Sequence, residues 1–450
     1  MKIGVYGSGL DSVIACYELL AQGHQVTHFS GGAKIAGHFA GNINAHGIVD
    51  LGMVLLENDA RNTIQKPLTT FSNEFGVNAR EYLAECYEFL EKNLGTLRPR
   101  KMKSRLESAI EIGDYFIADS LEVLNTLSHE EISLLDARLT KVLKNEYDDF
   151  IHPSLKSQRS DHTNEDLRSQ LEIQYGYELT DKLFGSFIKS LLGSKITSLP
   201  VRFHRKLWIP LYYPETIKAV IKGFDNPLSE INFLEFSEGS LASNIQKFVE
   251  SISKNPRYSN NPEKFENLRL VYSPEVYHVY MTSVADMSKL LKNESIESSA
   301  NSIAKKIVQG PRTQISILHF CIKEMENKTV MLQSPINNLF RYSITNGIVR
   351  NQSCISLEFG EIGESTIHEL YRIFQEIEPT IEKVCAGELQ VVPFAPRYLD
   401  MSLVEWNKLC SDVIGEFPRE NCRVLPIHPD GTSFNDNLVR GLAGSRGIGL

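Results

Sequence analysis

The sequence predicts an α/β protein grown from a mononucleotide-binding unit, and three stretches carry that prediction. An apolar run, Ile3 to Tyr6, breaks into Gly7-Ser8-Gly9. Apolar residues then recur at helical spacing (Val13, Cys16, Tyr17, Leu19, Leu20) until Gly23. A second strand-like run, Gln25 to Phe29, follows at once. Strand, glycine turn, helix and strand in this order and length form the unit that holds a nucleotide phosphate.

Each part of the turn has a physical reason. Gly7 lets the chain turn tightly out of the strand. Gly9 has no Cβ, so a pyrophosphate can approach the main chain at the helix N-terminus, whose free N–H groups and positive dipole end favour an anion. Leu10 and Asp11 complete the first helical turn. Ser12 stands where the fingerprint has a third glycine, and is small enough for close packing. The second strand ends in Ser30-Gly31-Gly32, where an acidic residue normally accepts from the adenosine ribose. Serine can accept that bond, without the strength a charge adds.

The remaining composition sets bounds. At 450 residues the chain is long enough for two or three domains. Apolar residues make up 42% and charged residues 23%, as in ordinary globular proteins. A net charge of −9 gives no global field for nucleic acid. The basic stretch Arg98 to Arg105 reads as a solvated turn before it reads as an anion site. The seven cysteines form no CxxC pair and no metal-ligand spacing, so buried thiols in a reducing compartment are expected, with no metal centre. The chain enters its first strand directly after Met1, and no run reaches the roughly 18 apolar residues of a membrane helix. A cytoplasmic protein without an integral membrane segment is the expectation.

After the opening unit, glycines at 31, 32, 37 and 41 suggest backbone passing close to a ligand or to other backbone. Gly47-Ile-Val-Asp50-Leu-Gly52 then reads as a short strand and turn. Fingerprint, second strand, glycine-rich loop and a strand ending Asp-x-Gly together resemble the superfamily of FAD-dependent amine oxidases and protoporphyrinogen oxidases, which includes UDP-galactopyranose mutase. The resemblance implies that Ile35-Ala36-Gly37-His38 is the loop touching the flavin diphosphate. Ala36 stands there for a second glycine and His38 for an arginine.

Residues 60 to 200 read as mostly helical, with an apolar stripe over Glu81–Leu94 and a capping-box serine at Ser128-His-Glu-Glu131. Gln174 to Pro200 resembles a helix and "LP" turn of UDP-galactopyranose mutase and its relatives. Arg202 to Pro214 sets aromatics among cations. It reads as an amphipathic loop or as a substrate-facing wall, with Arg202, His204 and Arg205 for an anionic substrate and Tyr212 or Tyr213 against the flavin. Phe233 to Glu250 resembles the family's turn feeding a helix, and Lys254 to Asn267 reads as a loop. Alternating residues predict strands at Val276–Thr282, Thr313–Phe320 and Ser353–Phe359, with more strand between the last two. Arg341 sits where relatives often place a substrate- or flavin-facing arginine, although a surface cross-strand arginine fits equally. Ser365 to Val384 reads as a long helix, and Val391 to Tyr398 as a strand-like approach to the tail. Within the tail, Asn435-Asp436 and Gly441-Leu-Ala-Gly444 resemble the superfamily's closing motif, a second helix N-terminus aimed at the same cofactor.

The fold class implied is α/β: a Rossmann-like FAD-binding domain with a mixed-sheet substrate domain and a helical insertion. Its segments would be 1–60, 226–290 and 420–450 for the discontinuous FAD-binding domain, 61–225 for the helical region, and 291–419 for the substrate sheet. The resemblance implies FAD at Gly7, Gly9, Leu10, Asp11, Ser12, Ser30, Gly31, Gly37, His38, Asp50, Gly52, Asn435 and Asp436. Arg202, His204, Tyr212, Tyr213, Arg341 and Tyr398 are the candidates facing the substrate. The expected function is an FAD-dependent oxidoreductase or flavin-dependent mutase acting on a small, anionic or neutral organic substrate, as a monomer or homodimer. A second reading is a flavin-poor scaffold like the Rab escort and GDP-dissociation-inhibitor proteins, whose opening "GxGLxxxxL" is similar to Gly7-Ser-Gly-Leu-Asp-Ser-Val-Ile. A plain NAD-dependent dehydrogenase explains the opening but not Asp50-Leu-Gly52 or the tail.

Overall fold

The computed structural model describes residues 1–45, 47–52, 56–57, 79–106, 110–112, 127–146, 167–181, 218, 221–223, 233–268, 275–309, 313–346, 351–394, 397–401, 403–418, 420–427 and 434–448. Its organising layer is a five-stranded parallel sheet. Strand β1 (Lys2–Tyr6) is followed by helix α1 (Leu10–Ala21) and strand β2 (Gln25–Phe29). Across the sheet the order is Cys422–Val424, Val276–Tyr280, β1, β2, Tyr258–Asn261. Gly4 pairs with His278 on one side and Thr27 on the other. The strand order reverses beside β1, so a crevice opens beyond its carboxyl end, at Gly7.

Alternation along β1 decides which helices cover which face. Ile3 and Val5 join a core with α1, the helices Ala79–Asn93 and Leu241–Ser253, and the closing helix Phe434–Ser445. Tyr6 points to the other face, where its ring stacks on Phe29 at 4.6 Å and on Tyr280 at 4.7 Å. That face is covered by Val284–Leu291, Glu294–Lys306 and Leu403–Gly415, with Trp406 fully buried among them. Helices on both faces of a parallel sheet are the doubly wound arrangement.

A nine-stranded mixed sheet forms the second layer. Its order is Glu388–Phe394, Thr313–Lys323, Gln352–Phe359, Leu339–Asn346, Lys328–Ile336, Leu97–Leu106, Phe233–Phe236, Leu56–Glu57, with Ile110–Ile112 paired to Leu97–Leu106. All these pairings are antiparallel except that of Lys328–Ile336 with Leu97–Leu106. Helix Ile367–Ile377 covers this sheet through Leu370 and Phe374. A capping box of Thr366 and Glu369 starts it. The sequence reading ran this helix from 365 to 384; it ends at Ile377, shortly before Pro379.

Two other readings need correction. Lys254–Asn267 is not all loop, because Tyr258–Asn261 is a strand. Its sequence, Tyr-Ser-Asn-Asn, has no apolar alternation, and as the sheet's edge it pairs only with β2. The basic stretch from Arg98 is a strand, not a solvated turn. The buried Arg100 side chain gives 2.6 Å bonds to Glu235 and Thr329, so the anion it meets belongs to the protein.

The closing helix packs on α1 through two glycines. A Cβ on Gly441 would lie 2.6 Å from Ile14 Cβ and 2.9 Å from the Asp11 carbonyl. One on Gly444 would lie 2.8 Å from Met281 Sδ. Gly441→Ala is therefore expected to lower stability by about 1–3 kcal/mol through overpacking. The same change at Gly415, whose Cβ position is open, should cost nothing measurable. Urea midpoints of the two variants decide it, and equal midpoints would remove this contact from the account.

Candidate functional site

The crevice beyond β1 is built by two helix N-termini. Gly7 closes the turn with φ +154°, and a Cβ there would overlap the carbonyl oxygen of Met281. Gly9 is the N-cap of α1. The side chain of Asn437, in the first turn of the closing helix, lies 3.6 Å from where a Gly9 Cβ would sit. Both ends of the chain thus meet at one point. Asn435 opens the same helix, and its Oδ1 is shielded from solvent with no hydrogen-bond partner among the described residues.

The turn is braced from beneath by a histidine. His28 on β2 is buried, and its Nε2 lies 2.7 Å from the Gly7 carbonyl. A carbonyl only accepts, so Nε2 carries the proton and Nδ1 accepts from Tyr258 Oη at 2.9 Å. Ser12 Oγ donates to the carbonyl of Gly9 at 2.7 Å and lies 3.2 Å from the same histidine nitrogen. The third-glycine position is thereby occupied by a side chain that ties the turn to the helix.

Asp11 departs most from the sequence reading. Its side chain is fully buried, at 0% exposure. Oδ1 accepts from the Ser12 amide at 2.9 Å, and Oδ2 is 2.6 Å from Arg440 of the closing helix, itself 2% exposed. A Cβ on Gly9 would overlap Oδ1, so here the missing Cβ makes room for the protein's own carboxylate. Burial raises the pKa of Asp11, against the lowering pull of Arg440 and of the Ser12 and Asp11 amides.

The other predicted residues fall in three groups. Ser30 is buried at the end of β2, and a Cβ on Gly31 would lie 2.6 Å from the ring of Phe265. The strand end therefore offers an adenosine ribose no charged acceptor. Gly37 and His38 start the short helical turn Gly37–Ala40, with open space beside Gly37 and the exposed His38 ring 3.8 Å from that of Phe39. Asp50 Oδ1 accepts from the Ala242 amide at 2.7 Å and so helps cap helix Leu241–Ser253. Gly52 lies beside Glu358, 3.5 Å from its carboxylate by the same Cβ measure. Arg341 is not a surface residue. It is 8% exposed and bonded to Glu358 through both Nε, at 2.8 Å, and Nη2. Glu358 is 1% exposed, so this guanidinium is committed to a buried partner. Tyr398 lies on strand Arg397–Leu399, and Asp436 in the closing helix; their side chains, with Arg202, His204, Tyr212 and Tyr213, lie outside the described residues. Among the described residues no cluster of His, Cys, Asp and Glu could hold a metal, and no helix is long and apolar enough to cross a membrane.

Neither a protein-family model nor a curated protein sequence matches the chain. Solved structures do. A candidate protoporphyrinogen oxidase from Exiguobacterium sp. 255-15 aligns at 13% identity and TM-score 0.54, over 99% of this chain and 97% of that one. A double mutant of putrescine oxidase, from a redesign of its cofactor binding, aligns at 10% identity and TM-score 0.51, over 99% and 97%. An oxidoreductase from Methanosarcina mazei aligns at 13% identity and TM-score 0.50, over 98% and 99%. The fold is that of the FAD-binding flavoenzymes.

Measured against a flavoenzyme's cofactor, the crevice offers two converging helix N-termini, and on the closing helix a shielded acceptor, Asn435 Oδ1, unpartnered among the described residues. These fit a dinucleotide, with Asp11 competing for the α1 amides among the described residues. Sequence reasoning missed Arg440, Asn437, His28 and Glu358. A lone arginine inside the apolar run of the closing helix was the available signal for Arg440.

Two outcomes are expected. His28 has its pKa lowered to about 4, chiefly by burial, from an ordinary 6.5. The unfolded chain therefore binds a proton first, and stability falls by on the order of 3 kcal/mol as pH drops from about 6.5 to about 4. His28→Gln should flatten that part of the slope relative to the parent, measured by urea midpoints at pH 7.5 and 5; parallel slopes would refute the assignment. Arg341→Met should cost about 3–5 kcal/mol by stranding the Glu358 charge, and Arg341→Met with Glu358→Leu should recover most of it. A double variant as unstable as the single one would show that the pair is not the reason.

Proposed function

We propose that the chain is an FAD-dependent oxidoreductase of the amine-oxidase type, or a flavin-dependent mutase, acting on a small organic substrate. The observation carrying this reading is the meeting of Gly9 and Asn437 at one point, with Asn435 two residues earlier in the same helix and its shielded Oδ1 unpartnered among the described residues. An acceptor closed off from water calls for a donor, and the ribityl hydroxyls of a flavin are donors. The N-terminal end of α1, at Gly9 and Leu10, suits a diphosphate. When bound, flavin supplies the hydride acceptor or, in a mutase, the nucleophile. The chain's own residues would supply place and charge: Gly37 and His38 are the residues proposed to touch the flavin diphosphate, and Gly52 sits next to the buried Arg341–Glu358 pair. With Arg341 held by Glu358, recognition of an anionic substrate falls to Arg202 and His204.

The flavin-poor scaffold is kept as the second reading because Asp11, an anion of the protein itself, already takes the Ser12 amide. Absorbance of purified protein separates the two. A band near about 450 nm, present as isolated or restored by added FAD, is expected of the flavoenzyme. Colourless protein that ignores added FAD supports the scaffold.

A further inference from the structure

In flavin-binding crevices of this kind the first helix needs an anion at its N-terminus, and this chain carries one. We propose that the Asp11 carboxylate is a placeholder for the cofactor's diphosphate, so that the dinucleotide is an exchangeable ligand and Arg440 is its counter-charge. This rests on the FAD reading above. Three features of the site lead to it. Oδ1 of Asp11 takes the Ser12 amide, one of the donors a phosphate would use. Its position beside Gly9 is the one the missing Cβ leaves open. Oδ2 is neutralised by Arg440, a fully charged guanidinium buried on the second helix that points into the same crevice.

The consequences follow from charge. A diphosphate entering the crevice meets the Asp11 carboxylate at close range, and like charges there oppose binding. The carboxylate must give up the Ser12 amide or lose its charge before the phosphate can take its place. Arg440 then has a new anion to face. Its Nη2 also bonds the Leu425 carbonyl at 2.8 Å, so it is held in position while its partner changes. The neutral, buried Ser30 adds no charge-assisted grip on the ribose. Both features loosen the same half of the cofactor, its ADP moiety. An apo form that is already internally satisfied is what an exchangeable cofactor requires.

The test is titration of the full chain with FAD and with ADP, by calorimetry and by thermal shift, for the parent, Asp11→Asn and Asp11→Ser. Without ligand, both variants should melt below the parent, because Arg440 loses its partner. With ligand, both should bind FAD and ADP at least tenfold tighter than the parent and regain the lost melting temperature. The parent should release FAD on gel filtration. Equal affinity in parent and variants, or parent protein that keeps stoichiometric FAD through gel filtration, overturns the placeholder while leaving the flavoenzyme reading standing. Absence of FAD and ADP binding in all three chains, each folded by circular dichroism, overturns both. Should Asp11→Asn fail to fold, Asp11→Ser alone carries the comparison.

Discussion

Everything in this structure depends on the contact between its first helix and its last. α1 and Phe434–Ser445 pack closely because Gly441 and Gly444 carry no side chains, Gly441 lying against Ile14 and the Asp11 carbonyl and Gly444 against Met281 and Ala15. Where the first turn of α1 meets the middle of the closing helix the contact becomes ionic, with Asp11 against Arg440. Neither charge is tolerable in that core without the other, since an ion taken out of water needs a compensating partner. The pair therefore specifies how the helices register, and the register sets the crevice. Met281, just after strand Val276–Tyr280 beside β1, closes the arrangement by lying against both Gly7 and Gly444.

The second sheet is organised by buried charges of its own. Glu235 collects Arg98, Arg100 and Asn327, and Thr329 joins the same group through Arg100. All but Asn327, which precedes strand Lys328–Ile336, come from strands far apart in sequence, and they span the parallel junction of Lys328–Ile336 with Leu97–Leu106. Arg341 and Glu358 make a second such group on neighbouring strands. Gly52 lies against Glu358, so the loop after Asp50, which also caps a helix of the nucleotide layer, links the two sheets. The charges in the mixed sheet thus do for its layer what the helix–helix contact does for the first.

What the sequence made legible was local and periodic. The opening strand, turn, helix and strand could be read from glycine placement and apolar spacing. The long strands at 313–323 and 352–359 followed from alternation. Edge strand Tyr258–Asn261 escaped because an edge buries little and needs no apolar pattern. Strand Leu97–Leu106 escaped because its cations looked solvated, and for Arg100 it is the distant Glu235 that makes burial tolerable. At the crevice, Gly7 was read for a tight turn and Gly9 for a ligand's approach; the turn at Gly7 also lies against Met281, and the missing Cβ of Gly9 leaves room for Asp11. Asp11, Arg440 and His28 each acquire their role from a residue remote in the chain, which no spacing rule reaches.

The parallel sheet is stitched from three separate stretches: 2–29, 258–280 and 422–424. On a ribosome the first of these emerges hundreds of residues before the last, and β1 must wait for neighbours that have not been made. The long separation between pairing strands slows assembly and leaves apolar edges uncovered meanwhile. The mixed sheet, whose strands lie mostly within 313–394, can close earlier and serve as a platform. A ligand-ready crevice is then among the final things this polypeptide completes, once Arg440 reaches the helix that was synthesised first.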